Sequence, residues 1–95
     1  MFTWLNKQGG RSDRGFEVQR TARFEAEYRE GGKLVKLYVE SGVSGGLPCI
    51  IVGTQAFARW SDGTAIDPDK QAEMLENFKQ AMDFQGLSTV VDKGR

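Results

Sequence analysis

Histidine is absent from this 95-residue chain. With it go His-based catalytic triads, His-ligated zinc and the commonest general base. The single cysteine, Cys49, has no partner for an intrachain disulfide, which excludes a disulfide-stapled secreted domain. It lies in the apolar run Cys49-Ile50-Ile51-Val52, where a thiol stays protonated and serves packing. Net charge is also missing: 13 Lys and Arg balance 13 Asp and Glu, unlike a general binder of nucleic acid or anionic membrane. No apolar run approaches the length of a membrane span. Met1-Phe2-Thr3-Trp4-Leu5 turns polar at Asn6, too soon for a signal peptide, so the expected compartment is the cytoplasm.

What is present is enough for one core. Apolar residues make up 39% of the chain, with six Phe, two Trp and two Tyr, which sets it apart from disordered sequences. The zero net charge hides an asymmetry. Residues 1–60 carry nine basic and six acidic side chains, a net +3, and residues 61–95 carry four and seven, a net −3.

The organisation expected is an arm over 1–15, a single α+β domain over 16–92 and a tail over 93–95. Residues 6–15 are polar and glycine-rich with no apolar period, which reads as a flexible segment. Phe2, Trp4 and Leu5 at the tip offer a short edge strand. From Phe16 the period is two. Ala22, Phe24, Ala26 and Tyr28 alternate with Arg23, Glu25, Glu27 and Arg29, as on a strand with one wet face. Glu30-Gly31-Gly32-Lys33 supplies a hairpin turn, after which Val35, Leu37 and Val39 face the core and Lys36, Tyr38 and Glu40 face water. Ser41 to Pro48 reads as a flexible connection. Cys49 to Val52 is a central strand covered on both faces, resuming through Ala56, Phe57 and Ala58 and ending at Trp60.

The helix has start and stop signals. Asp67 can cap it, Pro68 suits the first helical position, and Gly86 suits the position just past its end. Between them Met74, Leu75, Phe78, Ala81, Met82 and Gln85 mark a buried stripe, while Asp69, Glu73 and Glu76 share a face and cluster toward the N-terminal half, favourable for the dipole. Val90 and Val91 follow as a last short strand. The architecture predicted is an antiparallel sheet of about four strands with one C-terminal amphipathic helix packed on one face, in the order β-β-β-α-β.

Few constellations carry chemistry. The acids Asp62, Asp67, Asp69 and Glu73 do not fit an EF-hand loop, since Asp67 stands where glycine is needed and Thr64 and Ile66 replace acidic ligands. Turn formation and capping account for them, and neither a metal nor a cofactor is expected. Gly42-Val43-Ser44-Gly45-Gly46 lacks the Lys-Ser/Thr of a phosphate-binding loop. Lys7, Arg11 and Arg14, even with Trp4 beside them, are too few cations on a neutral chain to specify nucleic acid. Trp60 has two roles open: covering one end of the core with its indole N–H at the rim, or anchoring a protein interface beside Arg59.

Residues 24–91 resemble a small immunity-protein family of bacterial polymorphic toxin systems. The likeness lies in Glu25-Ala26-Glu27-Tyr28-Arg29-Glu30-Gly31, the apolar strand around Ile50-Ile51-Val52, Arg59-Trp60, and the helix positions Ala72, Leu75, Phe78, Ala81 and Met82 with Phe84-Gln85-Gly86. Ser61-Asp62-Gly63 stands where that family often has a proline-containing stretch. The resemblance implies a non-enzymatic cytoplasmic antidote that binds a cognate toxin domain stoichiometrically and occludes it. Many toxin domains are basic nucleases, and the acidic C-terminal segment could meet one. The expected partner-binding residues are Arg59, Trp60, Asp62, Asp69, Glu73, Glu76 and Asp83. Two rivals remain: a single-stranded nucleic-acid module reading through Arg20, Arg23, Lys36 and Tyr38, and a homodimer formed by pairing edge strands or exchanging the arm.

Overall fold

The computed structural model describes residues 2–6 and 9–92. The tail 93–95, and Met1, Lys7 and Gln8 of the arm, lie outside the described residues. Seven strands form one sheet in sequence order: β1 (Phe2–Asn6), β2 (Gly9–Ser12), β3 (Phe16–Ala22), β4 (Glu25–Glu30), β5 (Lys33–Ser44), β6 (Leu47–Gly53) and β7 (Ser88–Asp92). The helix α1 (Pro68–Phe84) lies between β6 and β7. Neighbouring strands are antiparallel up to β6, and β7 runs parallel to β6. Parallel neighbours need a long crossover, and residues 54–87 supply one.

One helix packed on a sheet is as expected, but the strand count and the uniformly antiparallel pairing are not. Two of the additional strands come from the stretch read as an arm. Its glycines are sites of close approach: a Cβ on Gly9 would sit 2.5 Å from Cβ of Gln19, and one on Gly10 would sit 3.2 Å from the Phe84 ring. Phe2 stacks on Phe84 at 5.4 Å, and Trp4 lies 4.6 Å from the same ring. The stretch Ser41–Pro48, expected to be a connection, continues β5 and β6 into a hairpin arm. Both its turn glycines, Gly45 and Gly46, have positive φ (60° and 81°), as do Gly31 and Gly32 in the β4–β5 turn (60° and 80°). That is the backbone a two-residue hairpin requires. The expected strand through Ala56–Ala58 is instead a run of turns, with Ala56 N–H on Gly53 O and Ala58 N–H on Gln55 O. Phe24 lies in the β3–β4 turn and is exposed rather than in the core.

The sheet bends at β5. Lys33–Tyr38 pair with β4, and Val39–Ser44 pair with β6. Residues directly opposite in a pair share a face, so Val18, Tyr28 and Val35 line up inward, as do Val39 and Val52. These pack with Met74, Phe78, Ala81 and Met82 of α1 and with Phe57 and Ile66 of the crossover. Asp67 stands at the helix N-cap without a side-chain capping bond, while Pro68 fills the first position as expected. The C-terminus closes through Leu87 N–H to Met82 O (2.9 Å) and Gly86 N–H to Asp83 O (3.0 Å), with Gly86 at φ 81°. This is a Schellman motif, and it turns the chain straight into β7.

Candidate functional site

Arg59, Trp60 and Asp62 belong to a small loop that the backbone holds tightly. Arg59 bridges to Ala65, Trp60 N–H donates to Thr64 O (2.9 Å), and Ser61 N–H donates to Leu34 O (2.7 Å). Arg59 Nη1 donates to Gly63 O at 3.1 Å, so its guanidinium ties its own loop. Trp60 is half-buried against the core, and the Lys33 ammonium lies 5.5 Å from its ring centroid, within cation–π range. Of its two open roles, the covering one is visible in this packing. Asp62 Oδ1 accepts the Thr64 N–H at 2.8 Å, and that bond holds its carboxyl below the usual range.

A chain of charges connects this loop to the helix. Asp62 lies 4.0 Å from Lys33, whose backbone stands directly opposite Glu30 across the β4–β5 turn. Glu30 in turn bonds Lys70 at 2.5 Å, and Lys70 reaches Glu73 at 3.4 Å. Asp62 and the N-terminal half of α1 therefore flank one end of the molecule together. Further along α1, Asp69, Glu73, Glu76 and Asp83 are all exposed. Their spacings of four, three and seven residues keep them on one side of the helix. Seven residues expected to meet a partner thus divide in two. Arg59 and Trp60 serve the loop and core, while Asp62 and the helix acids look outward.

Beneath that surface runs a polar network the sequence reading did not single out. Asn77 Nδ2 donates to the Tyr28 hydroxyl at 3.0 Å, and the hydroxyl donates to Glu30. Arg14, in the β2–β3 turn, donates to Asn77 Oδ1 at 3.2 Å and to Gln80 Oε1 at 2.5 Å. Tyr28 and Asn77 are both buried. Burial, and then the bond to Glu30, drive the Tyr28 phenol far above its ordinary pKa. Burial opposes ionisation of Glu30, but the hydrogen bonds from Lys70 and Tyr28 outweigh it and hold its carboxyl below the usual range. The Glu30 bond likewise raises Lys70. Two signals were available in the sequence. Asn77 falls between Met74 and Phe78 on the apolar stripe, and Glu30 has the inward parity of Tyr28.

The outer sheet face holds a shallow hollow of about 350 Å³ bordered by Lys36, Tyr38, Ile51 and Gln55. Tyr38 stacks on Phe24 at 6.0 Å, and the Arg23 guanidinium lies 5.2 Å from the Phe24 ring centroid. The set expected for a nucleic-acid face is split here. Arg20 pairs with the buried, inward-facing Ala26, and its Nε is buried with no hydrogen-bond partner among the described residues. Lys36 is directly opposite Glu27, and Tyr38 donates to Glu40. Among the described residues there is no group of three side chains suited to hold a metal, and no helix is long and apolar enough to cross a membrane.

Compared with protein-family models, curated proteins and solved structures, the chain matches none. The geometry of the site therefore carries the functional argument. It offers an acidic helix surface standing on a buried polar network, with a tied loop at one end.

Proposed function

We propose that this chain is an immunity protein, which binds a cognate bacterial toxin domain one-to-one and blocks it without turnover. The observation that carries the reading is the exposed acidic side of α1: Asp69, Glu73, Glu76 and Asp83 all face solvent along one ridge. Like charges at i,i+4 (Asp69 and Glu73) and i,i+3 (Glu73 and Glu76) cost a helix a few tenths of a kcal/mol per pair. Beyond Asp69 in the first turn and the Lys70–Glu73 pair, such a ridge does not serve the helix's own stability. It does serve a basic partner, because complementary charge speeds encounter and fixes orientation. Two sets of ion pairs, Asp62–Lys33 and Glu30–Lys70–Glu73, meet at the β4–β5 turn and carry charge around the end of the sheet, and Glu30 and Lys70 hold the helix in place beneath it. The resemblance over residues 24–91 supports the same partner class, and the setting is the cytoplasm.

Copurification with the toxin domain encoded by the adjacent upstream gene tests the reading. A one-to-one complex that survives moderate salt is expected, with Glu73→Lys plus Glu76→Lys slowing association and weakening the complex at least tenfold. A chain that elutes alone at low salt overturns it.

A further inference from the structure

Charge is distributed unevenly over the sheet. Residues 9–38 hold twelve charged side chains in thirty positions, whereas residues 39–53 and 88–92 hold only Glu40 and Asp92 in twenty. Three of the exposed large apolar side chains lie in this nearly uncharged part, the others being Trp4, Phe24 and Tyr38. Val43 is 76% exposed and Leu47 65% at the tip of the hairpin arm, and Val90 is exposed on β7. β7 also ends the sheet, with no strand beyond it among the described residues.

The two edges of the sheet are guarded differently. β1 carries a register irregularity between Trp4 and Asn6, and such bulges turn an edge away from further pairing. β7 pairs in unbroken register with β6 from Ser88 to Asp92, and contains neither proline nor lysine. Its five residues, Ser88-Thr89-Val90-Val91-Asp92, are self-complementary in one antiparallel register. Centred on Val90, that register sets Val90 against Val90 of a second copy, Thr89 against Val91, and Ser88 against Asp92. The two aspartates then lie at opposite ends of the seam, roughly 13 Å apart at ~3.3 Å per residue, and each faces a serine hydroxyl rather than another carboxylate.

We propose that β7 is the seam of a homodimer, in which β7 of two copies pair antiparallel about Val90 and continue the sheet from one copy into the other. The occupant is a second copy because the edge matches itself in side-chain size and its two carboxylates stay apart. A seam with one charge per strand, flanked by exposed valine and leucine, also has the apolar character of homodimer interfaces. The arm reaches two residues past the first residue of β7, since Cys49 is the partner of Ser88, and so sets Leu47 beside the end of the seam. Two five-residue strands bury less than the roughly 800 Å² per partner of a standard interface, so the dimer forms in the micromolar range rather than the nanomolar. This proposal is independent of toxin binding.

Sedimentation velocity from about 5 to about 500 µM reads the equilibrium by mass action. The expected result is a rise from the 10.6 kDa monomer toward twice that mass, with Val90→Lys weakening association at least tenfold at unchanged circular dichroism. Cysteine pairing reads the register itself. In a Cys49→Ala background, which removes the native thiol opposite Ser88, Val90→Cys should oxidise to a covalent dimer, whereas Ser88→Cys, whose two copies lie at opposite ends of the seam, should not. A chain that stays monomeric at the highest concentration overturns the proposal. So does a dimer indifferent to Val90→Lys, or one in which Ser88→Cys cross-links as readily as Val90→Cys.

Discussion

The part of the sheet built from β1–β4 and the first half of β5 and the part built from the second half of β5, β6 and β7 solve the same packing problem differently. The first part is charged outside and meets α1 partly through polar groups: Arg14, Tyr28 and Glu30 reach Asn77, Gln80 and Lys70. The second is nearly free of charge and contributes Ile50, Val52 and Val91 to the apolar cluster. A buried hydrogen bond adds only about 1 kcal/mol net, but an orphaned partner costs about 1–3 kcal/mol. The polar part is therefore the more specific in geometry, and the apolar part is held on the helix side by buried area and within the sheet by its strand ladders. The surfaces differ in step. The charged part presents the acidic ridge and its supporting ion pairs, while the uncharged part presents an open strand edge.

Breaking the apolar part should give the largest effect. Ile50→Ala removes a side chain that is 1% exposed and leaves a cavity, at a cost of about 2–5 kcal/mol. Urea denaturation should show that loss equally in low and high salt, since no charge is involved. A loss that depends on salt would mean that the two parts are electrostatically coupled.

Asn77→Ala strikes the polar part and comes next. It leaves the Tyr28 hydroxyl with only Glu30 and takes one acceptor from Arg14. The expected cost is about 2 kcal/mol. A double-mutant cycle with Tyr28→Phe should show coupling of at least about 0.5 kcal/mol, because each residue's cost depends on the other's presence. Additive losses would show that the two side chains stabilise the fold separately.

How far the sequence could be read depended on which physics set each element. Period-two alternation in β4 and the first half of β5 placed Ala26, Tyr28, Val35 and Leu37 inward, and all four are buried. The helix was equally legible, because Pro68 and Gly86 act locally at its ends. What escaped was decided at a distance. Gly9 and Gly10 look like linker residues until Gln19 and Phe84 are brought against them, and nothing local in residues 9–12 announces a strand. The hairpin over Ser41–Pro48 was hidden for a related reason: its glycines belong to a tight turn and a crowded strand, yet resemble a loop in composition. At the candidate site, the outward acids were legible from helical spacing alone. The network beneath them needed the tertiary meeting of Tyr28 with Asn77, sixty-three residues after Arg14 at the far end of the same chain of bonds.

Gly9→Ala tests whether those glycines pack or flex. A Cβ at 2.5 Å from Cβ of Gln19 forces β2 away from β3, so the substitution should cost about 1 kcal/mol or more. Hydrogen exchange should show the loss concentrated in β1 and β2, with β6 and β7 unchanged. If position 9 were merely linker, alanine there would stabilise the chain slightly by restricting the unfolded state.

The smallest effect lies in the acid limb of stability. Glu30 is held below the usual carboxylate range in the fold, so the unfolded chain binds protons more readily at that position than the native chain does. Its contribution is therefore fully present above the ordinary carboxylate pKa, and is lost as pH falls through the lower native value. Lys70 complements it, since a raised ammonium pKa stabilises the fold below the ordinary lysine value and fades only in strong alkali. Glu30→Gln keeps an acceptor for Tyr28 but removes the charge facing Lys70. With both side chains partly exposed (24% and 30%), the pair contributes about 0.5–1 kcal/mol at neutral pH. Thermal melts from about pH 7 down to about pH 3 should show the wild-type curve falling more steeply than that of Glu30→Gln below about pH 5, with the two converging at the acid end. Parallel curves would place the acid sensitivity outside the charged part's network, and would leave Asp62, whose carboxyl is lowered by its Thr64 bond, as the next group to neutralise.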